Sequence, residues 1–319
     1  MVDAAPLAEV YRGEFLESTH VGHAVVADAA GEIVEAWGDA GKIILPRSSA
    51  KMLQALPLLE SGAGAGLSEE QLALACASHS GERRHVERVA RWLSDLGLDE
   101  HALRCGPQSS RDRTLRHKMI RDGLPVTRVF NNCSGKHAGF LTLTAHLKAG
   151  PDYVDPNHPV QMAVRAAFEE TCDEASPGFG IDGCSAPNFA VSLTGLARAM
   201  AQFAAAGQGS GARDGAMAAL RTAMVAHPEL VSGMGRACAD IMQAAQGRAA
   251  VKTGAEGVFV AILPDLGFGV ALKVADGATR AAEVAIAAIL TKLAVIDRSD
   301  PSVIAYLDRP ILNWDGLQT

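Results

Sequence analysis

The chain has 319 residues, of which 48% are apolar and 20% charged, with a formal net charge of -7. That length supports one large or two moderate domains with a substantial core, and the acidic balance argues against nucleic acid or an anionic membrane surface as partner. No apolar run reaches the ~18 residues of a membrane span, and the N-terminus shows no basic-then-apolar leader. The six cysteines lack framework spacing, so a cytoplasmic protein with free thiols is the expectation.

Residues 8–40 are β-rich. Glu9–Ser18 and His20–Asp28 read as strands, Ala29-Ala30-Gly31 as a turn, and Glu32–Trp37 as the third strand of a meander. After Pro46, the residues Met52, Leu53, Leu56 and Leu59 recur at helical spacing, so a helix is expected from Ser48, with Pro57 as a kink. Gly62–Gly66 is a loop, and Ser68 with Gln71 forms a capping box before a helix over Leu72–Cys76. Ser78–Glu82 is a polar break before an amphipathic helix, His85–Leu96; Arg104–Arg113 reads as loop and Val126–Phe130 as β-like. Asn131–His137 leads into a helix over Ala138–Leu147, and a second helix covers Val160–Cys172. The glycine-rich Pro177–Pro187 feeds a helix from Asn188 to Ala206, and Gly207–Gly215 reads as flexible. Helices over 216–226 and 231–246 follow, then strands in Gly247–Leu263 and Phe268–Val274 around a Pro264–Gly267 turn, and a last helix over 279–296. This order predicts an α/β (α+β) fold. One antiparallel sheet is built from both chain ends (about 8–45 and 247–296), with a helical region (about 48–246) inserted and 1–319 as a single catalytic unit.

Chemistry concentrates in a few places. Ser48 and Lys51 are three apart at a helix start and share a face. The helix dipole places partial positive charge there, which disfavours an ammonium, and a neutral amine beside a hydroxyl activates a serine where no histidine serves it. A capping serine with a solvated lysine is the plain alternative. Lys252-Thr253-Gly254 lies at a strand. Ser-x-x-Lys followed by Lys-Thr-Gly is the pairing of class A β-lactamases and penicillin-binding proteins, although an edge-strand lysine that blunts aggregation reads equally simply. Ser78–Glu82 offers two hydroxyls, an imidazole and a carboxylate, with Ser80 either a helix cap or a partner for Lys252. Cys133-Ser-Gly-Lys136-His137 and Asp182-Gly-Cys184 could contribute to a tetrahedral zinc site, or their cysteines could be small buried hydrophobes. No phosphate-loop pattern is present.

Together, Pro46–Lys51, Cys76–Glu82, Asn131–Gly139, Gly180–Pro187 and Lys252–Gly257 resemble the Rhizobium etli-type (class 3, asparaginase II family) L-asparaginases over roughly residues 10–275. The resemblance implies a serine β-lactamase/glutaminase-like fold. It implies two serine–lysine pairs, Ser48 with Lys51 and Ser80 with Lys252, and a zinc ion held by Cys133, Lys136 and Cys184. Lysine must lose its proton to bind a metal. It further implies that Arg47 orients the substrate carboxylate, that His137, Asp182 and Glu82 contact substrate or support the metal, that Cys238 lies near the site, and that the protein forms a homodimer. The implied activity is hydrolysis of L-asparagine to L-aspartate and ammonia through an acyl-enzyme. A β-lactamase-like hydrolase of another amide or ester, and a non-catalytic zinc-dependent amino-acid-binding protein, are the alternative readings.

Overall fold

The computed structural model describes residues 3–207, 209 and 211–319. The chain divides into two compact units. A sheet unit comprises Met1–Ser49, Val191–Ala205 and Asp240–Thr319, and a helical unit comprises Ala50–Ala190 and Ala206–Ala239.

The sheet unit carries the expected antiparallel sheet. Its strands run in the spatial order Ala5–Arg12, Phe15–Asp28, Phe268–Val274, Val258–Leu263, Ala250–Thr253, with Ile33–Trp37 pairing to Phe15–Asp28. The central pairing joins the two chain ends, with Phe268 opposite Asp28 and Val274 opposite Gly22. Every residue of Val258–Leu263 is buried. Because successive side chains point to opposite faces, both faces of this strand are covered. Helix Leu193–Ala205 packs on the central strands, and helix Thr279–Lys292 packs on Ala5–Arg12, Val258–Leu263 and Phe268–Val274. Gly269 allows the first of these approaches, since a Cβ there would lie 2.0 Å from the Ala197 carbonyl oxygen. The long strand expected over Glu9–Ser18 is broken by a turn at Gly13, whose φ is +59°.

In the helical unit, helix Lys51–Glu60 packs against Ser134–His146, Pro159–Cys172 and Ala212–Ala226. The Ser68–Gln71 capping box is present and opens helix Glu69–Ala75. Several expectations are corrected. Val126–Phe130, expected to be β-like, contains a 3-10 turn over Arg128–Phe130, and Arg113–Arg121, almost all of it beyond the stretch read as loop and given no element from the sequence, is a helix capped by Asp112. The segment from Pro177 is a hairpin of Phe179–Ile181 with Pro187–Phe189. Val191–Ser192 pairs with Ile43–Ile44, so the helix starts only at Leu193. Helix Ala212–Ala226 takes in the second half of the stretch expected to be flexible; Gln208 and Ser210 within that stretch lie outside the described residues. A further helix, Pro301–Leu307, follows the last expected one. No helix among the described residues is long and apolar enough to cross a membrane.

Candidate active site

Arg47–Ala50 forms a 3-10 turn that runs directly into helix Lys51–Glu60. Arg47 has φ +55°, a left-handed conformation that costs a non-glycine residue energy and that clusters at functional sites. Ser49, the other serine of the turn, is committed locally, because its hydroxyl donates to the Pro46 carbonyl at 2.7 Å. Lys252 lies on Ala250–Thr253, at the sheet edge as expected, but it is fully buried and its Nζ donates to the Thr253 carbonyl at 2.8 Å. Burial excludes the solvated edge-lysine reading. The end of this strand meets the serine turn within the sheet unit. A Cβ at Gly254 would lie 2.6 Å from the Pro46 carbonyl and 3.3 Å from the Ser49 nitrogen, so glycine there lets the Lys-Thr-Gly end lie against the Arg-Ser-Ser turn.

The helical unit holds the rest. Lys51 is fully buried. Its Nζ donates to the Ala77 carbonyl and to Cys133 Sγ, the latter at 3.1 Å. Among the described residues no carboxylate pairs with it, so a capping serine with a solvated lysine does not describe this helix start. Cys133 precedes helix Ser134–His146, its N–H held by Asn131 Oδ1 at 2.9 Å. Lys136 and His137 therefore lie in the first turn, a few residues earlier than the helix was expected. That helix sits close against the preceding layer, because a Cβ at Gly135 would lie 2.4 Å from the Leu74 carbonyl. Cys184 comes from the tip of the Phe179–Phe189 hairpin, where Ser185 N–H bonds back to the Asp182 carbonyl and Ser185 has φ +71°.

These residues form one buried cluster. Lys136 Nζ lies 3.1 Å from Cys184 Sγ. Cys133 Sγ donates to Asn132 Oδ1 at 3.0 Å; its interaction with Cys184, together with Lys136 and His137, holds the Cys184 thiol far below the ordinary cysteine range. The same interaction and burial push the Cys133 thiol up, so Cys184 is the more acidic of the two. Burial acts to lower the Lys136 pKa, but the two sulfurs and the Asp182 carboxylate outweigh it and raise it above the usual lysine value. Burial lowers His137 to about 4. The ring is therefore neutral, with Nδ1 paired to the Tyr153 hydroxyl at 2.9 Å and Nε2 against the Cys184 sulfur without a well-formed hydrogen bond.

No three His, Cys, Asp or Glu side chains among the described residues are arranged to hold a metal ion. The implied zinc set is different, being two sulfurs and an amine. Cys133, Cys184 and Lys136 are adjacent as a ligand set requires, and a buried imidazole nitrogen lies against the Cys184 sulfur, but the sulfurs favour the Lys136 ammonium, which would have to give up its proton for zinc to bind.

Ser80 is not a helix cap. The residue before helix Arg83–Asp95 is Glu82, whose N–H donates to His85 Nδ1 at 3.1 Å. Ser80 Oγ instead donates to the Ser232 carbonyl at 2.8 Å. Ser80 and Glu82 line a cavity of about 470 Å³ together with Arg111, Asp112, Met234, Gly235 and Arg236. The Glu82 carboxylate is raised by burial although it pairs with Arg84 at 3.0 Å. The two arginines carried no signal in the sequence. His79, His85 and His158 are structural: His79 bonds Ser134, and the other two hold helix starts. Cys238 is buried at the start of helix Ala237–Ala245.

The two units thus share out the expected residues. Arg47, Ser48 and Lys252 belong to the sheet unit. Lys51, Ser80, Glu82, Cys133, Lys136, His137, Asp182 and Cys184 belong to the helical unit.

The family model for L-asparaginase II matches residues 8–319. No curated protein matches the chain. Among solved structures, Mglu in its native form is similar at 14% identity and TM-score 0.40, over 88% of this chain and 65% of that one. A β-lactamase from Mycobacterium bovis is similar at 12% identity and TM-score 0.36, over 85% of this chain and 94% of that one. The octameric penicillin-binding protein homologue from Pyrococcus abyssi is similar at 11% identity and TM-score 0.34, over 85% and 73%. The chain spans just under two thirds of the length of Mglu.

Proposed function

The chain belongs to the L-asparaginase II family, and from that premise we propose that it is an L-asparaginase of the Rhizobium etli type, hydrolysing the side-chain amide of L-asparagine to L-aspartate and ammonia. The observation that carries this reading beyond the family is Lys51. It is a fully buried amine at the helix start one turn after Ser48, held by a carbonyl and a thiol and, among the described residues, not neutralised by a carboxylate.

In this reading Ser48 attacks the amide carbon and Lys51 takes its proton, giving a β-aspartyl ester that water cleaves. Ser80 and Lys252 pass protons to the departing amine and to the water. Backbone N–H groups at the start of the Ser48 turn stabilise the oxyanion. Arg47 orients the substrate carboxylate through its planar fork, and His137, Asp182 and Glu82 contact substrate or hold its surroundings. Cys133, Lys136 and Cys184 would hold zinc, which when bound supplies a fixed positive charge that positions the substrate. The same reading expects one catalytic unit from both parts of the chain and a cytoplasmic homodimer; six buried free cysteines support a reducing compartment.

Ammonia release from asparagine and glutamine, metal analysis of the purified protein, and acyl-enzyme trapping in the Ser48→Ala and Ser80→Ala proteins test this together. Asparagine turnover with an adduct lost only in Ser48→Ala is the expected result. An adduct surviving in Ser48→Ala would move the nucleophile to Ser80, and turnover of nitrocefin without ammonia release would replace the substrate.

A further inference from the structure

The cavity beside Ser80 is larger than ammonia requires. Ammonia is the size of a water molecule, which occupies roughly 30 Å³ in the liquid, whereas the cavity is about 470 Å³, within the range of pockets that hold drug-sized ligands. Its lining also carries an electrostatic oddity. Arg111 and Arg236 both line it, and the Arg111 guanidinium is lowered by burial and then by the Arg236 charge, so the cavity wall carries two cations. Among the described residues neither guanidinium forms a salt bridge or a side-chain hydrogen bond. The two acids of the lining are already engaged. Glu82 pairs with Arg84 and accepts from the Met234 N–H, and Asp112 Oδ1 caps helix Arg113–Arg121 through Thr114 N–H and Leu115 N–H.

The room itself is built by backbone. Arg111 N–H donates to the Ser80 carbonyl at 2.7 Å, which fixes the arginine segment against the serine. Gly233 has φ +112°, and a Cβ there would lie 2.3 Å from Ser80 Oγ and 2.5 Å from Glu82 Oε1, so only glycine leaves both groups in place. Two unpaired guanidiniums at the wall of a polar cavity are a carboxylate site, because the planar fork binds a carboxylate through two parallel hydrogen bonds.

We propose that this cavity is a leaving-group subsite, and that the enzyme also hydrolyses β-aspartyl amino acids, with Arg111 and Arg236 holding the α-carboxylate of the amino acid released. The proposal rests on the reading above, in which Ser80 hands a proton to the departing amine. Attack of the serine oxygen on the β-carbonyl forms the ester and breaks the C–N bond. The nitrogen of the leaving amino acid takes the proton, and one water then cleaves the ester to aspartate. Asparagine is the member of this series whose leaving group is ammonia, and it leaves the arginine pair unused.

The test compares kcat/KM of the full-length protein for asparagine, β-aspartyl-glycine and β-aspartyl-glycinamide. The last has the same amide but no carboxylate on its leaving group. The expected result is turnover of both dipeptide analogues, the acid preferred on the order of tenfold or more, as for a hydrogen-bonded charge. In Arg236→Gln that preference falls towards one. Asparagine turnover without β-aspartyl-glycine turnover overturns the proposal while leaving the asparaginase reading intact. Equal rates for acid and amide in the unaltered protein also overturn it, as does an Arg236→Gln protein whose asparagine KM rises in the same proportion as its dipeptide KM, since the pair would then serve the substrate's own carboxylate. Turnover of none of the three overturns both readings.

Discussion

Replacing Lys51 by methionine separates its structural from its chemical role. The methionine fills nearly the same volume and keeps the contacts of the aliphatic stem. What disappears is Nζ, which donates to the Ala77 carbonyl and to Cys133 Sγ. Leaving buried acceptors unsatisfied costs about 1–3 kcal/mol, and for a chain of this size each kcal/mol moves Tm by about 2–4 °C. The structural consequence is therefore a Tm lower by roughly 2–12 °C, with the protein folded at 25 °C. If the amine takes the proton of Ser48, the loss of that base costs roughly 10²–10⁴-fold in turnover, far more than a partial loss of stability produces below Tm. Arginine at the same position keeps the positive charge but does not accept a proton, so Lys51→Arg is expected to be comparably inactive. Ammonia release at 25 °C, measured alongside thermal melts, reads both quantities. Retention of more than a tenth of the activity in Lys51→Met, or full activity in Lys51→Arg, would refute the assignment of Lys51 as the base.

Gly233→Ala is expected to lower asparagine turnover on the order of tenfold or more, because the new methyl overlaps Ser80 Oγ and Glu82 Oε1, and to lower stability by about 1–3 kcal/mol from its strained φ; unchanged turnover would show that the cavity wall plays no part in the reaction. His85 gives a pH-dependent stability. Burial lowers it to about 4, and its neutral ring accepts from Glu82 N–H while Nε2 donates to the Glu229 carbonyl at 2.9 Å. With the folded pKa depressed, this contribution is intact above about pH 6.5 and is lost as pH falls from there towards 4, to a total of about 3 kcal/mol. Urea midpoints of the unaltered protein should fall over that window, and those of His85→Gln should fall less, since glutamine can still accept from the cap N–H; parallel profiles would refute it.

What could be read from the sequence was what local chemistry dictates. The Ser68–Gln71 capping box is satisfied within four residues, and the Pro264–Gly267 turn follows from the alternating runs beside it. The arrangement of strands at both ends follows from the change of hydrophobic period along the chain. Helix Arg113–Arg121 was not legible, because only Met119 is buried and its three apolar residues, Leu115, Met119 and Ile120, are too few to set a period. The segment Asn188–Ser192 reads as helix by composition, yet it pairs with Phe179–Ile181 and Ile43–Ile44 because burial requires its backbone groups to find partners. Ser80 has the residue type and position of a cap, but packing brought the Ser232 carbonyl to its hydroxyl, and Glu82 took the helix end.

The sequence by itself therefore determined the family, the sheet–helix–sheet order and the serine, lysine and cysteine types available for chemistry, since motifs and periodicity are properties of neighbouring residues. Only the tertiary structure decided that Lys51, Cys133, Lys136, His137 and Cys184 form one buried cluster, that the Lys252 strand ends against the Arg47–Ser49 turn, and that Arg111 and Arg236 line one cavity. Those meetings depend on backbone passing close to backbone at Gly135 and Gly254 and close to the Ser80 and Glu82 side chains at Gly233, and on which charges burial leaves unpaired; neither is encoded in any single stretch of chain.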